Sequence, residues 1–503
     1  MNKIYTLIIS VLCLFSITLS ARTVQEASIV ASAFMQSRDE AVPTKRIQKA
    51  VAANSVTQPV ELAFTQYQVD QTTPAVFVFN STDEGFVLVS AEDNTRAVLG
   101  YSDEGTFDAN NIPENMQFWL QMYADELNKA KGAVSDRGIK GNEAKKAIRR
   151  KVIGEEAMRR EATSEEYPTI SPILGKTIWG QGEPFNNMCP TIGGKRCVTG
   201  CVATALSQIM YVHKHPTKGT GSHSYTSETH HLTSSANFSA TTYDWSNMLP
   251  TYTKNNYNTT QANAVATLMH HVGIVAEMDY DPEGSGANSA YALSQMATYF
   301  GYDAGIRTLP KDYMREEEVM TAIISDLEQG YPVFVSGRTK NEEGHAFVCD
   351  GMRSDGYLHI NWGWYGVSNG YFALSALDPE QQGTGGSASN MAFTEEVNVY
   401  TGIQPDQGGT AQPLVTVSKI VRTSEDRVGR NARIAFSLER FTSSGMATAE
   451  GIICYYIYDS NDLLTTIQPI GNFELPTGHY YQNPINISYP IPSSLPDGEY
   501  KLE

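Results

Sequence analysis

The spacing of apolar positions changes several times along the chain, and the changes divide it. From Ile4 to Leu19 the residues are largely apolar, broken only by Ser and Thr hydroxyls, with Lys3 before the run and the small residues Ser20 and Ala21 after it. Such a run is short for a spanning helix and predicts a secretory signal peptide over 1–20, cleaved after Ser20 or Ala21. No later stretch approaches 18 uninterrupted apolar residues, so no membrane association is expected after signal cleavage. Beyond it the pattern predicts a helix over 24–35, short strands at 67–69, 75–80 and 85–89, and a helix over 116–130. From residue 130 to 166 basic and acidic side chains interleave, and no aromatic occurs until Tyr167. That texture is a solvated helix or an exposed linker open to proteolysis.

The block over 167–405 is rich in Gly, Trp and Tyr. Within it, Ala205, Ile209 and Val212 form one stripe of a helix beginning near Val202. Residues 344–351 and 357–364 alternate as a β-hairpin, with Ser354, Asp355 and Gly356 as its turn. A turn-rich hinge at 404–409 then leads into strands at 414–421, 432–436, 451–458, 463–469 and 485–489, the spacing of a β-sandwich. Residues 498–503 read as the opening of a further strand.

At about 150 residues per domain, 503 residues allow roughly three units. With 41% apolar and 10% aromatic residues the chain is not globally disordered. Lys+Arg minus Asp+Glu is 37 − 55 = −18, which argues against a nucleic-acid partner, since that needs a basic footprint. Of six cysteines Cys13 lies in the signal, leaving Cys189, Cys197, Cys201, Cys349 and Cys454. Five is odd, so a monomer keeps at least one free thiol, and a chain of this size is not a disulfide scaffold.

Two segments carry candidate chemistry. Cys201 follows Gly200 at the start of the 202–212 helix, where unpaired N–H groups and the helix dipole favour a thiolate. A buried structural cysteine or a Cys197–Cys201 disulfide are the plain alternatives. A zinc site is weaker, because only His213 and His215 lie nearby. In the hairpin, His345 opens one strand and Asn361 ends the other, so both can converge at one end of the pair. Cys, then a distant His, then an Asn is the chain order of a papain-like site. Gln181, between Gly180 and Gly182, can join the Cys201 backbone N–H in stabilising an oxyanion.

Taken together, the chain over about 60–405 resembles the streptopain family of secreted bacterial cysteine proteases, the group that includes interpain-like enzymes. The resemblance rests on Gln181-Gly182 with Pro184, Gly200 to Ala205, Gln208 to Met210, Tyr243 to Trp245, Gly344 to Val348, Asn361 to Trp364 and Gly383 to Gly386. Upstream, Gly85 to Ser90 and Leu99 to Ser102 resemble that family's inhibitory prosegment. The resemblance implies Cys201 as nucleophile, His345 as its base and Gln181 as an oxyanion-hole donor, with Asn361 and Trp362 orienting and shielding the histidine. It implies a mobile loop at Gly383 to Gly386. Cys349 and Tyr365 depart from the family pattern, and the first 60 residues and those past Pro405 fall outside it.

The expected fold class is therefore α+β: signal 1–20, inhibitory prosegment with basic linker 21–165, papain-like peptidase 166–405, and a β-sandwich accessory domain 406–503. The expected function is a secreted bacterial cysteine endopeptidase made as a zymogen, without metal or cofactor. Its partners would be protein or peptide substrates and its own prosegment. A transglutaminase or amidase using the same thioester, or a non-catalytic surface adhesin, are the alternatives. One prediction follows from the linker. N-terminal sequencing of the processed protein should find a start between about 140 and 167, and a start before Ala130 would contradict it.

Overall fold

The computed structural model describes residues 21–38, 59–92, 95–137, 167–338, 344–375, 396–423, 433–459, 464–490 and 500–502. The signal peptide, the linker past residue 137 and the Gly383–Gly386 loop lie outside the described residues.

Helix α1, Val24–Arg38, starts with a capping box. The Thr23 hydroxyl accepts from Glu26 N at 3.2 Å, and the Glu26 carboxylate accepts from Thr23 N at 2.8 Å. Four antiparallel strands follow: β1 (Val60–Tyr67), β2 (Pro74–Ser81), β3 (Phe86–Ser90) and β4 (Val98–Ser102). Period-two alternation sends Val76, Val78 and Leu88 to one face and Phe77, Phe79, Val87 and Val89 to the other. The second face is covered by α1, and the first by α2, Glu114–Arg137.

The central block contributes the ribbon β5 (Thr191–Ile192) with β6 (Lys195–Arg196), helix α3 (Cys201–His213), and the ribbon β7 (Ser222–Thr226) with β8 (Thr233–Asn237). Next come α4 (Thr259–Val275), α5 (Ser289–Phe300), β9 (Arg307–Pro310), α6 (Glu316–Glu328), β10 (Val333–Arg338), β11 (Gly344–Met352), β12 (Leu358–Asn361), β13 (Gly370–Phe372) and β14 (Glu396–Thr401). Side chains of α3, α4 and α5 form a core with Phe334, Ala346 and Val348. Those of α2 and α6 form the opposite core with Val335, Phe347 and Cys349.

The N-terminal strands are not a separate sheet. All ten long-range strands run as β1-β2-β3-β4-β13-β12-β11-β10-β14-β9. The junction is short: Tyr101 faces Tyr371 and Gly100 faces Phe372. It is reinforced where Tyr123 of α2 donates its hydroxyl to Leu99 O at 2.9 Å and Ala373 O at 2.5 Å.

The predicted C-terminal strands appear as two three-stranded sheets. One is β15 (Val415–Arg422), β16 (Arg433–Ser443) and β19 (Ile485–Pro490). The other is β17 (Ala449–Asp459), β18 (Leu464–Leu475) and β20 (Tyr500–Leu502). Leu438, Phe441, Leu475 and Ile487 from both sheets share one small core, as a sandwich requires. The hinge before it is held by Asp303, whose carboxylate accepts from Gly305 N, Gln407 N and Gly409 N at 2.6, 2.7 and 3.2 Å.

The junction is testable. A Cβ on Gly100 would meet the Phe372 ring and lie 2.9 Å from Tyr371 O. Gly100→Val should therefore cost about 1–3 kcal/mol of docking. Urea melts followed by tryptophan fluorescence should show the N-terminal block leaving at lower denaturant. A superimposable curve would count against the shared sheet.

Candidate active site

Cys201 opens α3 because Gly200 takes φ +82, where a Cβ would lie 2.6 Å from the Met278 sulfur and 2.9 Å from Ser285 O. The helix is anchored by a fully buried face from Val202 to Met210. The Cys201 Sγ lies 3.9 Å from Gly344 O, the residue before His345. Burial pushes the thiol up to about 11, against the pull of the backbone N–H groups of Ala346, Val202 and Cys201, while the Glu114 carboxylate pushes it the same way. The expected low-pKa thiol is thus absent from this form. Desolvation outweighs the helix N-terminus. Cys189, Cys197, Cys349 and Cys454 are also free thiols, so Cys197 is not bridged to Cys201.

His345 pairs with Gly337 of β10. Alternation along β11 gives it the face of Phe347 and Cys349, whereas Ala346 and Val348 face the α3 core. Its ring meets Phe118 of α2 at 5.4 Å, and burial lowers it to about 4. Thiol and imidazole therefore line one cleft, but both are neutral at pH 7 and the thiol contacts the strand backbone.

Asn361 lies opposite Val348, three residues along β11 from His345 and on the other face. Its amide is already engaged. Nδ2 donates to Thr177 O at 2.9 Å, and Oδ1 accepts from Gly363 N at 3.0 Å and from Gln208 at 3.4 Å. So the hairpin brings His345 and Asn361 to one end, as its alternation predicted, but not into contact in this form. Trp362 is fully buried, donates Nε1 to Ser368 O at 2.8 Å and packs on Phe347, Phe372 and Trp119. The carbonyl of Gln181 accepts from Thr199 N at 3.0 Å, tying its loop to the residues just before Cys201.

Sequence reasoning missed the residues that hold this arrangement. Asn115, Phe118 and Trp119 lie at helical spacing on α2 and act together. Asn115 donates Nδ2 to Ala346 O at 2.8 Å and to Trp362 O at 2.7 Å, while Phe118 covers His345 and Trp119 covers Trp362. Tyr365, noted only as a departure, accepts from Gly182 N at 2.8 Å, and its ring leaves no room for a Cβ on Gly180. An aromatic pair one turn from a buried Asn was the available signal.

An antiparallel sheet between helical layers, with a helix-N-terminal cysteine, a strand histidine and an N-terminal helix over the histidine strand, defines a papain-like cysteine peptidase carrying its own inhibitory segment. The comparisons agree. The peptidase C10 family model matches residues 179–372, and the Spi protease inhibitor model matches residues 19–127. Streptopain of Streptococcus pyogenes is 33% identical over 349 residues, covering 66% of this chain and 81% of its own. The thiol protease/hemagglutinin PrtT of Porphyromonas gingivalis is 32% identical over 438 residues, 84% of this chain and 47% of that protein. A solved prointerpain A fragment from Prevotella intermedia superposes with a TM-score of 0.55 at 29% identity, covering 69% of this chain and 99% of its own. The chain belongs to the streptopain family of cysteine peptidases. That membership sets aside the transferase and non-catalytic adhesin alternatives.

The pKa shifts give a pH signature. His345 lies below its ordinary 6.5, so its contribution to docking of α2 is present above that value and lost as pH falls through about 4. Cys201 lies above its ordinary 9.0, so its contribution to the stability of the fold is present below that value and lost as pH rises through about 11. Both contributions are present together between about 6.5 and 9.0. Iodoacetamide should label Cys201 slowly in the precursor at pH 7 and faster toward pH 11, as read by peptide mass. Asn115→Ala removes the shared donor of two buried carbonyls, worth about 1–3 kcal/mol, and should speed labelling at pH 7 roughly tenfold. Equal rates in precursor, variant and processed protein would contradict the clamp.

Proposed function

We propose that the chain is a secreted endopeptidase zymogen in which removal of the N-terminal block completes a Cys201–His345 pair. The observation that carries this reading is that both residues line one cleft while α2 grips the histidine strand, with Phe118 against the His345 ring and Asn115 on Ala346 O. When α2 leaves, Ala346 O and Trp362 O lose Asn115, and residues 344–346 are free to turn the imidazole toward Sγ. Solvent then reaches both groups, the burial shifts relax, and proton transfer gives the thiolate–imidazolium pair.

The thiolate attacks the peptide carbonyl carbon. Charge collects on the carbonyl oxygen, where the Cys201 N–H and the Gln181 amide donate to it. His345 protonates the leaving amine as the C–N bond breaks, and then takes a proton from the water that cleaves the thioester. Asn361 and Trp362 hold the base of the histidine strand, and Tyr365 fixes the Gln181 loop. The basic linker supports activation by a cut between about 140 and 167, and the N-terminal apolar run supports export. Among the described residues no helix is long and apolar enough to cross a membrane.

Kinetics on a fluorogenic peptide test the roles. Cys201→Ala and His345→Ala should each abolish turnover. Gln181→Ala should cost roughly 2.7–4 kcal/mol in kcat with little change in KM. Asn361→Ala should be mildest in kcat, with its loss falling on thermal stability instead, because it strands buried partners at about 1–3 kcal/mol each. An active His345→Ala enzyme would refute the mechanism, and a wild-type kcat in Gln181→Ala would remove that residue from the site.

A further inference from the structure

The cleft that holds Cys201 and His345 has a wall that the peptidase block does not supply. Facing Val202 and Asn288 across about 200 Å³ stand Arg440 and Ser443 of β16 and Tyr480 of the turn after β18. This wall is bound in place. Asn288 donates to Gly478 O at 2.8 Å, Thr308 donates to Ser444 O at 2.7 Å, and Met446 is buried in the peptidase core. The fit is close, since a Cβ on Gly478 would lie 2.7 Å from the Asn288 Oδ1.

Two features of the lining point to what it receives. Among the described residues it holds two guanidinium groups, Arg338 and Arg440, and no carboxylate, in a chain of net charge −18. Arg440 adopts φ +53 inside its strand and carries its guanidinium over the Tyr480 ring at 5.3 Å. The Ser443 side chain is 0% exposed, and its hydroxyl has no hydrogen-bond partner among the described residues. A buried hydroxyl left unpaired is costly, and an entering acceptor group would satisfy it. A carboxylate is an acceptor for the hydroxyl and a counter-charge for the guanidinium groups.

We propose that the C-terminal sandwich completes the substrate cleft and selects peptides carrying an Asp or Glu side chain beside the scissile bond. This rests on the peptidase reading of Cys201 and His345, and adds a specificity role for Arg440 and Ser443. It gives the sandwich a direct part in substrate choice.

The test uses the processed enzyme with its sandwich, and peptides identical except for Glu, Gln or Lys at each position flanking the cut. Glu should exceed Lys by about fivefold or more in kcat/KM at one position, the size of one partly screened charge pair. That ratio should shrink in 1 M salt. Arg440→Gln should level the preference and Arg440→Glu should invert it. Iodoacetamide titration of competent Cys201 normalises each variant, so misfolding cannot imitate the effect. A wild-type enzyme indifferent to charge at every position, or an unchanged Glu-to-Lys ratio in Arg440→Glu, would overturn the proposal. A wild-type enzyme that cleaved none of the peptides would overturn the peptidase reading along with it.

Discussion

The direction of the His345 side chain follows from strand pairing. Residues 344–347 of β11 extend beyond the end of β12, because Asn361, the last residue of that strand, sits opposite Val348. This overhang is paired with β10 on one side only. On the other side Asn115 reaches in where a strand would otherwise bond, and binds Ala346 O together with Trp362 O. While the overhang remains a strand, alternation keeps His345 on the Phe118 face and Cys201 against backbone. On the proposed reading, inhibition acts through the strand itself, by holding residues 344–346 in extended conformation.

That arrangement shows which parts of the site the sequence can disclose. The positions of Cys201 at a helix start and of His345 near the start of a hairpin strand were legible, because each has a local reason, the φ of Gly200 and the alternation of the hairpin. Register was not legible. The hairpin pattern put His345 and Asn361 at one end, but a three-residue offset reverses the face and only the pairing reveals it. The junction of β4 with β13 was hidden for a different reason. Gly370–Phe372 is too short to carry a period, and its partner lies far away in sequence. The sandwich strands were found, but β16 and β18 run well past the predicted ends, since their outer halves pair without a strong apolar alternation.

Electrostatics and packing agree on the latent state. Burial deepens the preference of both the thiol and the imidazole for their neutral forms, and Glu114 adds a negative charge where a thiolate would form. A neutral thiol is a poor nucleophile and is also slow to oxidise. The clamp thus protects the reactive atom as well as silencing it. The same helix that covers the histidine strand also bonds across the sheet junction through Tyr123, so one element joins the junction to the site.

The ten-stranded sheet has a consequence for the enzyme after processing. Loss of the N-terminal strands turns β13 from an interior strand into a border, with N–H and C=O groups of Tyr371 and Phe372 newly unpaired. Such borders template association between chains. Here the border is three residues long and begins at a glycine, and one further bond, from Ala373 N to Leu99 O at 2.8 Å, ends it. A second molecule would find only a short ladder there, so the brevity that made β13 invisible in the sequence also limits what the exposed border can template.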